Sequence, residues 1–118
     1  MYFRFEKLEV WKLAREFVVE IYKITRKFPK DEIFGLTSQL RRAATSILLN
    51  IAEGSDRKSD IEFRRFLRMA ITSLEEVISG LYVALDQDFI NKKEFDIIYQ
   101  NGNYLVSKLN ALINSLKL

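Results

Sequence analysis

The sequence predicts an all-α single domain folded as an antiparallel up-down-up-down four-helix bundle. Apolar side chains recur at steps of three and four in four separate stretches, the spacing that gathers them on one face of a helix. One Pro and four Gly leave too few breaks for a sandwich of short strands, which needs a turn signal about every 8–12 residues. A length of 118 residues is that of one domain, here spanning residues 1–118, and short connectors favour antiparallel neighbours.

The first helix is predicted over residues 6–28. Trp11, Ala14, Val18, Ile21, Thr25 and Phe28 form one stripe, and Val10, Leu13, Phe17 and Ile24 a second beside it. Together they make a face wider than one neighbouring helix needs. Pro29 ends the helix, because its ring disfavours α geometry at Phe28. In the connector that follows, Ile33 and Phe34 are expected to pack over one end of the bundle as a lid.

The second helix, residues 37–53, places Leu40, Ala43, Ala44, Ile47, Leu48 and Ile51 on one face, with Thr37 or Ser38 as N-cap. Gly54 falls where a left-handed C-cap residue is expected, and the small Ala43, Ala44 and Ser46 admit a close neighbour. The third helix, residues 60–86, follows a capping box of Ser59 and Glu62 in which each satisfies the other's free N–H. Its stripe is Phe63, Phe66, Ala70, Leu74, Val77, Leu81 and Ala84. Gly80 costs about 1 kcal/mol relative to Ala inside a helix, so it is read as a place of close approach. The fourth helix, residues 92–116, opens at Asn91 with Glu94 three positions on and buries Phe95, Ile98, Gly102, Leu105, Leu109, Leu112 and Leu116.

Composition narrows the function classes. Without Cys there is no thiolate or disulfide chemistry, and without His the usual general base and commonest metal ligand are missing. Residues 1–12 intersperse Arg4, Glu6, Lys7 and Glu9 among apolar side chains, unlike the apolar centre of a secretory leader. No uncharged apolar run approaches the roughly 18–20 residues of a membrane span, so no membrane partner is expected and a cytoplasmic location follows by default. Glu75 with Glu76, and Asp86 with Asp88, are close carboxylates that could carry chemistry. A di-iron bundle pairs such groups with His, which leaves a carboxylate magnesium site as the one enzymatic option, and a solvated face is the simpler reading. Gly54-Ser55 beside Arg57 and Lys58 reads as a helix end, not a phosphate loop, and Ser38, Thr45, Ser46, Thr72 and Ser73 have no base to activate them. The chain is expected not to be an enzyme, with no catalytic, cofactor-binding or metal-binding residues and no cofactor.

Charge is the remaining signal. The net +3 is unevenly spread, with eleven Lys or Arg against six Asp or Glu in residues 23–68. Arg41, Arg42, Arg57, Lys58, Arg64, Arg65 and Arg68 are the candidate nucleic-acid-binding residues, five of them around the turn between the second and third helices. The alternative is that Glu53, Asp56, Asp60 and Glu62 pair with these side chains. The bundle would then be a structural or protein–protein interaction module with no nucleic-acid role. Of the aromatic residues Phe3, Phe5, Trp11, Tyr22, Phe34, Phe63, Tyr82, Phe89 and Tyr104, most are expected in the core. The wide apolar faces of the first and fourth helices point to a second copy of the chain, hence a homo-oligomer.

Specific strings strengthen this reading. Phe5-x-x-Leu8-x-Val10-Trp11-x-x-Ala14 opens the chain, followed by Ile21-Tyr22-x-x-Thr25-x-x-Phe28-Pro29. Then come Phe34-Gly35-Leu36-Thr37-Ser38-Gln39-x-Arg41-Arg42-Ala43-Ala44, Ser46-Ile47-x-x-Asn50-Ile51-Ala52-Glu53-Gly54 and Glu62-Phe63-x-x-Phe66-Leu67. Over nearly the whole chain this pattern resembles the bacterial 23S rRNA intervening-sequence protein family. Where that family often has Gly-Ser in its third helix, this chain has Ile71-Thr72-Ser73. The resemblance implies a four-helix bundle, a ring-like homo-oligomer of five copies and a connection with RNA through the ribosomal RNA genes that encode some members. The family is similar, too, to the accessory bundle protein of diversity-generating retroelements, whose basic pentamer binds nucleic acid and a reverse transcriptase. That likeness implies RNA or DNA, and a protein, as partners. No catalytic residues are transferred, because none are known for the family.

Overall fold

The four amphipathic stretches become four α-helices in order: α1 (Glu9–Thr25), α2 (Leu36–Ser55), α3 (Asp60–Asp86) and α4 (Lys92–Ser115). Short 3-10 turns at Arg4–Lys7 and Lys30–Glu32 precede α1 and α2. This is a computed structural model, and it describes residues 2–117. α1 packs on α2 and α4, and α3 packs on α2 and α4, while the diagonal pairs do not meet. That is the up-down-up-down arrangement. Long-range polar contacts fix the same order. Lys108 pairs with Glu9 at 3.6 Å, and the Lys117 backbone N–H donates to Asp60 Oδ2 at 3.1 Å. Both contacts lie in the half of the bundle that holds the α2–α3 turn. In the other half, Lys27 pairs with Glu94.

The core is the one the stripes define. Ala14, Ile21, Ala44, Ile47, Ile51, Leu67, Ala70, Val77, Leu81, Ala84 and Leu109 are completely buried. At about 25 cal/mol per Å² of apolar surface removed from water, these side chains supply the main drive for folding. Among the described residues, no helix is long and apolar enough to cross a membrane.

Helix ends depart from expectation in instructive ways. The first helix is shorter than residues 6–28, because Leu8 is extended and separates the Arg4–Lys7 turn from α1. At its other end Thr25 turns its hydroxyl back onto the Ile21 carbonyl at 2.7 Å, and the chain tightens through Arg26 N–H to Lys23 O. Neither Thr37 nor Ser38 caps α2. The helix begins at Leu36, whose N–H is taken by the Glu32 carboxylate at 3.0 Å, and Thr37 is buried. Ser59 accepts from Glu62 N–H at 3.2 Å, but the box is only half made, since Glu62 turns to Arg65 instead. Asn91 and Glu94 form the full reciprocal box, at 2.8 and 2.9 Å. α3 ends with Asp88 in the left-handed region at φ 62, its N–H bonded to Leu85 O while Phe89 N–H reaches Ala84 O. Ile33 and Phe34 form no lid. Phe34 is 96% exposed, because the Lys30–Glu32 turn carries it outward, away from the bundle end.

Glu94 carries a pH dependence. Its carboxyl is held below the usual carboxylate range by the Lys27 ammonium, aided by the Asn91 backbone N–H. A carboxyl depressed by folding binds fewer protons in the native state. Its stabilisation is therefore present above the unfolded-state value and lost as the pH falls through the folded-state value. Acid unfolding followed by circular dichroism should show Glu94→Gln less stable than the parent near neutrality and converging with it at low pH. A constant difference at all pH values would contradict this.

Candidate nucleic-acid interface

The seven predicted basic residues separate into three groups. Arg41 is a structural clamp. Its Nε donates to the buried Thr25 hydroxyl at 2.8 Å and its guanidinium lies 4.7 Å from the centre of the Tyr22 ring, tying the start of α2 to the end of α1. Arg42, one residue on, is exposed and borders a groove with Ser46, Ser73 and Glu76. Both stand about fifteen residues up α2 from the α2–α3 turn, roughly 20 Å away. They do not join the other five.

Arg57 and Arg65 form the second group, gathered around Phe66. Their guanidinium carbons lie 4.7 and 4.8 Å from the centre of its ring. Phe66 is only 5% exposed yet stands outside the main hydrophobic cluster, so the two guanidiniums are part of what covers it. Arg is suited to this, being planar and less strongly hydrated than an ammonium. Arg57 is paired with Glu53 at 3.2 Å, and Arg65 grips Glu62 with two hydrogen bonds at 3.1 and 3.2 Å. The Arg65 guanidinium holds the Glu62 carboxyl below its usual range, and Glu62 in turn raises Arg65. Such exposed pairs contribute little to stability, but they occupy the cation.

Lys58, Arg64 and Arg68 are the third group. Among the described residues none of them has a carboxylate at ion-pair distance. Lys58 sits in the turn itself, and Arg64 and Arg68 are one helical turn apart on the same face of α3. These three can neutralise phosphates without first giving up a partner.

The antiparallel order adds cations that the sequence reading did not include. It brings the start of α1 and the end of α4 to the α2–α3 turn, and with them Arg4, Lys7, Lys12 and Lys117. The half of the bundle made of residues 2–20, 47–73 and 104–117 carries eleven Lys or Arg against eight Asp or Glu. The other half carries eight of each, so the entire net charge of +3 lies on one half. Topology combined with residue counting was the signal that would have found this.

Among the described residues, no group of three or more His, Cys, Asp or Glu is placed to hold a metal ion, and Glu75, Glu76, Asp86 and Asp88 are exposed. The Ser46 and Ser73 hydroxyls bond to each other at 2.9 Å across the α2–α3 seam, with Asn50 donating to Ser46. They act as a polar latch between helices.

Gly54 is what brings the turn so close to Phe66. It lies inside α2, and no described glycine has positive φ, so it is not the left-handed cap that its position suggested. A Cβ there would stand 2.6 Å from Phe66 Cβ and 3.0 Å from Phe63 Cδ1. Gly54→Ala should therefore destabilise the fold by about 1–3 kcal/mol despite its better helix propensity, as overpacking does. A thermal melt at or above the parent's midpoint would show that the seam can relax.

Comparison with known proteins agrees with this architecture. The model of the 23S rRNA-intervening sequence protein family matches residues 6–111. A crystal structure of a protein with unknown function from the S23 ribosomal protein family of Bacteroides thetaiotaomicron VPI-5482 superposes with a TM-score of 0.79. It is 24% identical in sequence, and the alignment covers 90% of this chain and 99% of that one, a likeness of fold. No curated protein matches the chain. Since the family match reaches into all four helices, the chain belongs to the 23S rRNA-intervening sequence protein family.

Proposed function

We propose that this chain is a non-enzymatic, self-assembling helical bundle of the cytoplasm that binds RNA or DNA through one half of its surface. The observation that carries the reading is the trio Lys58, Arg64 and Arg68, without a carboxylate partner among the described residues, on the half that holds all the net positive charge. Cations without partners release counterions from a phosphate backbone at little cost, so binding falls steeply as salt rises. Arg57 and Arg65 contribute field but are held by Glu53 and Glu62. Arg41 is excluded by its structural role, and Arg42 stands apart.

Self-assembly is supported by Phe34. A large apolar ring 96% exposed, with Ile33 beside it at 47%, is costly to leave in water. Contact with a second copy removes that cost, and the family resemblance implies a ring of five. In such a ring the basic halves of neighbouring chains add to one field. The same exposed residues also fit a protein partner.

Two measurements test the reading. Titration of labelled RNA at about 50 and 200 mM salt should show affinity dropping by an order of magnitude or more, and Arg64→Glu with Arg68→Glu should weaken binding and flatten the salt slope. Binding absent at low salt, or indifferent to that double change, removes the nucleic-acid role. Separately, Phe34→Asp should lower the mass seen by light scattering while leaving the helical circular dichroism spectrum intact. A parent protein that is already monomeric at micromolar concentration would remove the assembly.

A further inference from the structure

We infer that the N-terminal turn is a stacking platform for unpaired nucleobases, so that the polyanion this surface takes is single-stranded. The inference rests on the nucleic-acid reading proposed above and narrows it to one class of ligand. Its basis is a run of rings that the fold does not use. Tyr2 is 89% and Phe3 55% exposed, and neither belongs to the hydrophobic core. Phe3 departs from the expectation that most of the named aromatic residues lie in the core. Yet Tyr2 and Phe3 are ordered against their neighbours. Phe3 lies nearly parallel to Phe5, with centroids 5.7 Å apart and planes 14° apart, and Tyr2 meets Phe3 edge-on at 4.8 Å. Phe5 in turn rests on Trp11 at 4.8 Å, which anchors the series to α1.

The turn that presents these rings is built, not frayed. The Phe3 N–H donates to the Glu6 carboxylate at 2.8 Å, and the Glu6 N–H donates to the Phe3 carbonyl at 3.1 Å, a reciprocal box closed around Arg4–Lys7. This closure engages the Glu6 carboxylate, and Glu9 is paired with Lys108. Arg4, Lys7 and Lys12 therefore flank the rings without a carboxylate partner among the described residues.

Aromatic faces interleaved with free cations are the two parts of a single-strand binder: the cations follow the phosphates and the rings take the bases. A duplex offers the cations the same phosphates but keeps its bases stacked inside, so it gains nothing from the rings. An apolar interface between copies would not need its rings ringed by like-charged side chains, which would repel across the contact. The rings and the Lys58 turn lie on the same half of the bundle, because the Arg4–Lys7 turn packs against α2 and the start of α1 lies beside its end. One strand can engage both.

The test uses the full chain with a mixed-sequence 12-nucleotide strand, as RNA and as DNA, each single and in duplex, together with an abasic DNA strand of equal length. Phe3→Ala should weaken both single strands by about tenfold and Phe3→Trp should restore them, while the duplexes and the abasic strand bind as before. The salt slope should stay unchanged for Phe3→Ala and fall for Arg4→Glu with Lys7→Glu. If Phe3→Ala leaves the single strands unaffected, or weakens duplex and abasic strand equally, the platform is overturned while the basic surface stands. If Phe3→Ala lowers the mass by light scattering, the rings are a contact between copies and the inference fails. If no strand binds the parent protein, the nucleic-acid reading falls first and this one with it.

Discussion

The close approach of α2 and α3 is the constraint on which the rest of the bundle depends. Along this seam, large side chains are answered by small ones. Gly80 makes room for Leu40, Ser46 faces Ser73 at hydroxyl–hydroxyl distance, and Gly54 lies against Phe66. No other pair of neighbours runs as close, and α4 stands farther from both α1 and α3 than α2 does from α3. Interiors packed at crystal-like density leave no slack for an added methyl group. The seam thereby fixes the register of α3 on α2, and with it the height of every charged residue around the turn between them.

That register decides what each arginine does. With Gly54 at the end of α2, the chain can turn tightly enough for Arg57, in the turn, to cover the Phe66 ring together with Arg65 of α3. A ring that would otherwise be a greasy spot beside the turn is buried by cations, each balanced by a carboxylate one turn away on its own side, Glu53 or Glu62. A count of basic residues therefore overstates the surface available to a polyanion. Two of the five around the turn, Arg57 and Arg65, hold the fold's own edge, and what remains is Lys58, Arg64 and Arg68.

The fold was legible because every helix carries a repeat of about 3.6 residues, and burial follows such a repeat faithfully: the stripe residues of α3 are all buried. The α4 capping box was legible too, being a local pairing of two side chains with two N–H groups. What could not be read were choices between partners close in energy. Glu62 had both the Ser59 N–H and the Arg65 guanidinium within reach, and the charged partner won. Gly54 could have been a left-handed cap or a site of contact, and only the position of Phe66 on another helix separates these. The aromatic residues misled for a different reason. Tyr22, Tyr82 and Tyr104 sit at the borders of helical stripes, where 100° per residue leaves a ring half in and half out. Phe3 and Phe34 lie outside the helices, with no periodicity to read. The candidate site was half legible: the turn and its cations were visible, whereas the division between structural and free arginines, and the arrival of Arg4, Lys7 and Lys117, required the tertiary order.

Charge alone is a weak device for a protein of this size. An excess of three positive charges on half of a body 44 Å long is modest, and at physiological ionic strength exposed charges more than about 8 Å apart are largely screened from one another. Any attachment built only on Lys58, Arg64 and Arg68 would be loose and readily dissolved by salt. Apolar and stacking contacts are not screened, so exposed rings on the same half of the bundle change the balance in a way extra lysines would not. The same physics bears on the cost of displaying them: Phe3 and Phe34 oppose solubility in the free chain, and charged neighbours of Phe3 such as Arg4 and Lys7 offset this. Phe34 has Gly35 and Pro29 near it in sequence instead, with Lys30 outnumbered by Asp31 and Glu32 nearby. An apolar ring away from free cations offers an anion nothing beyond its face, whereas one among free cations offers a flat face and a charge together. Phe3 and Phe34 are thus set apart by the charges around them, not by the rings themselves.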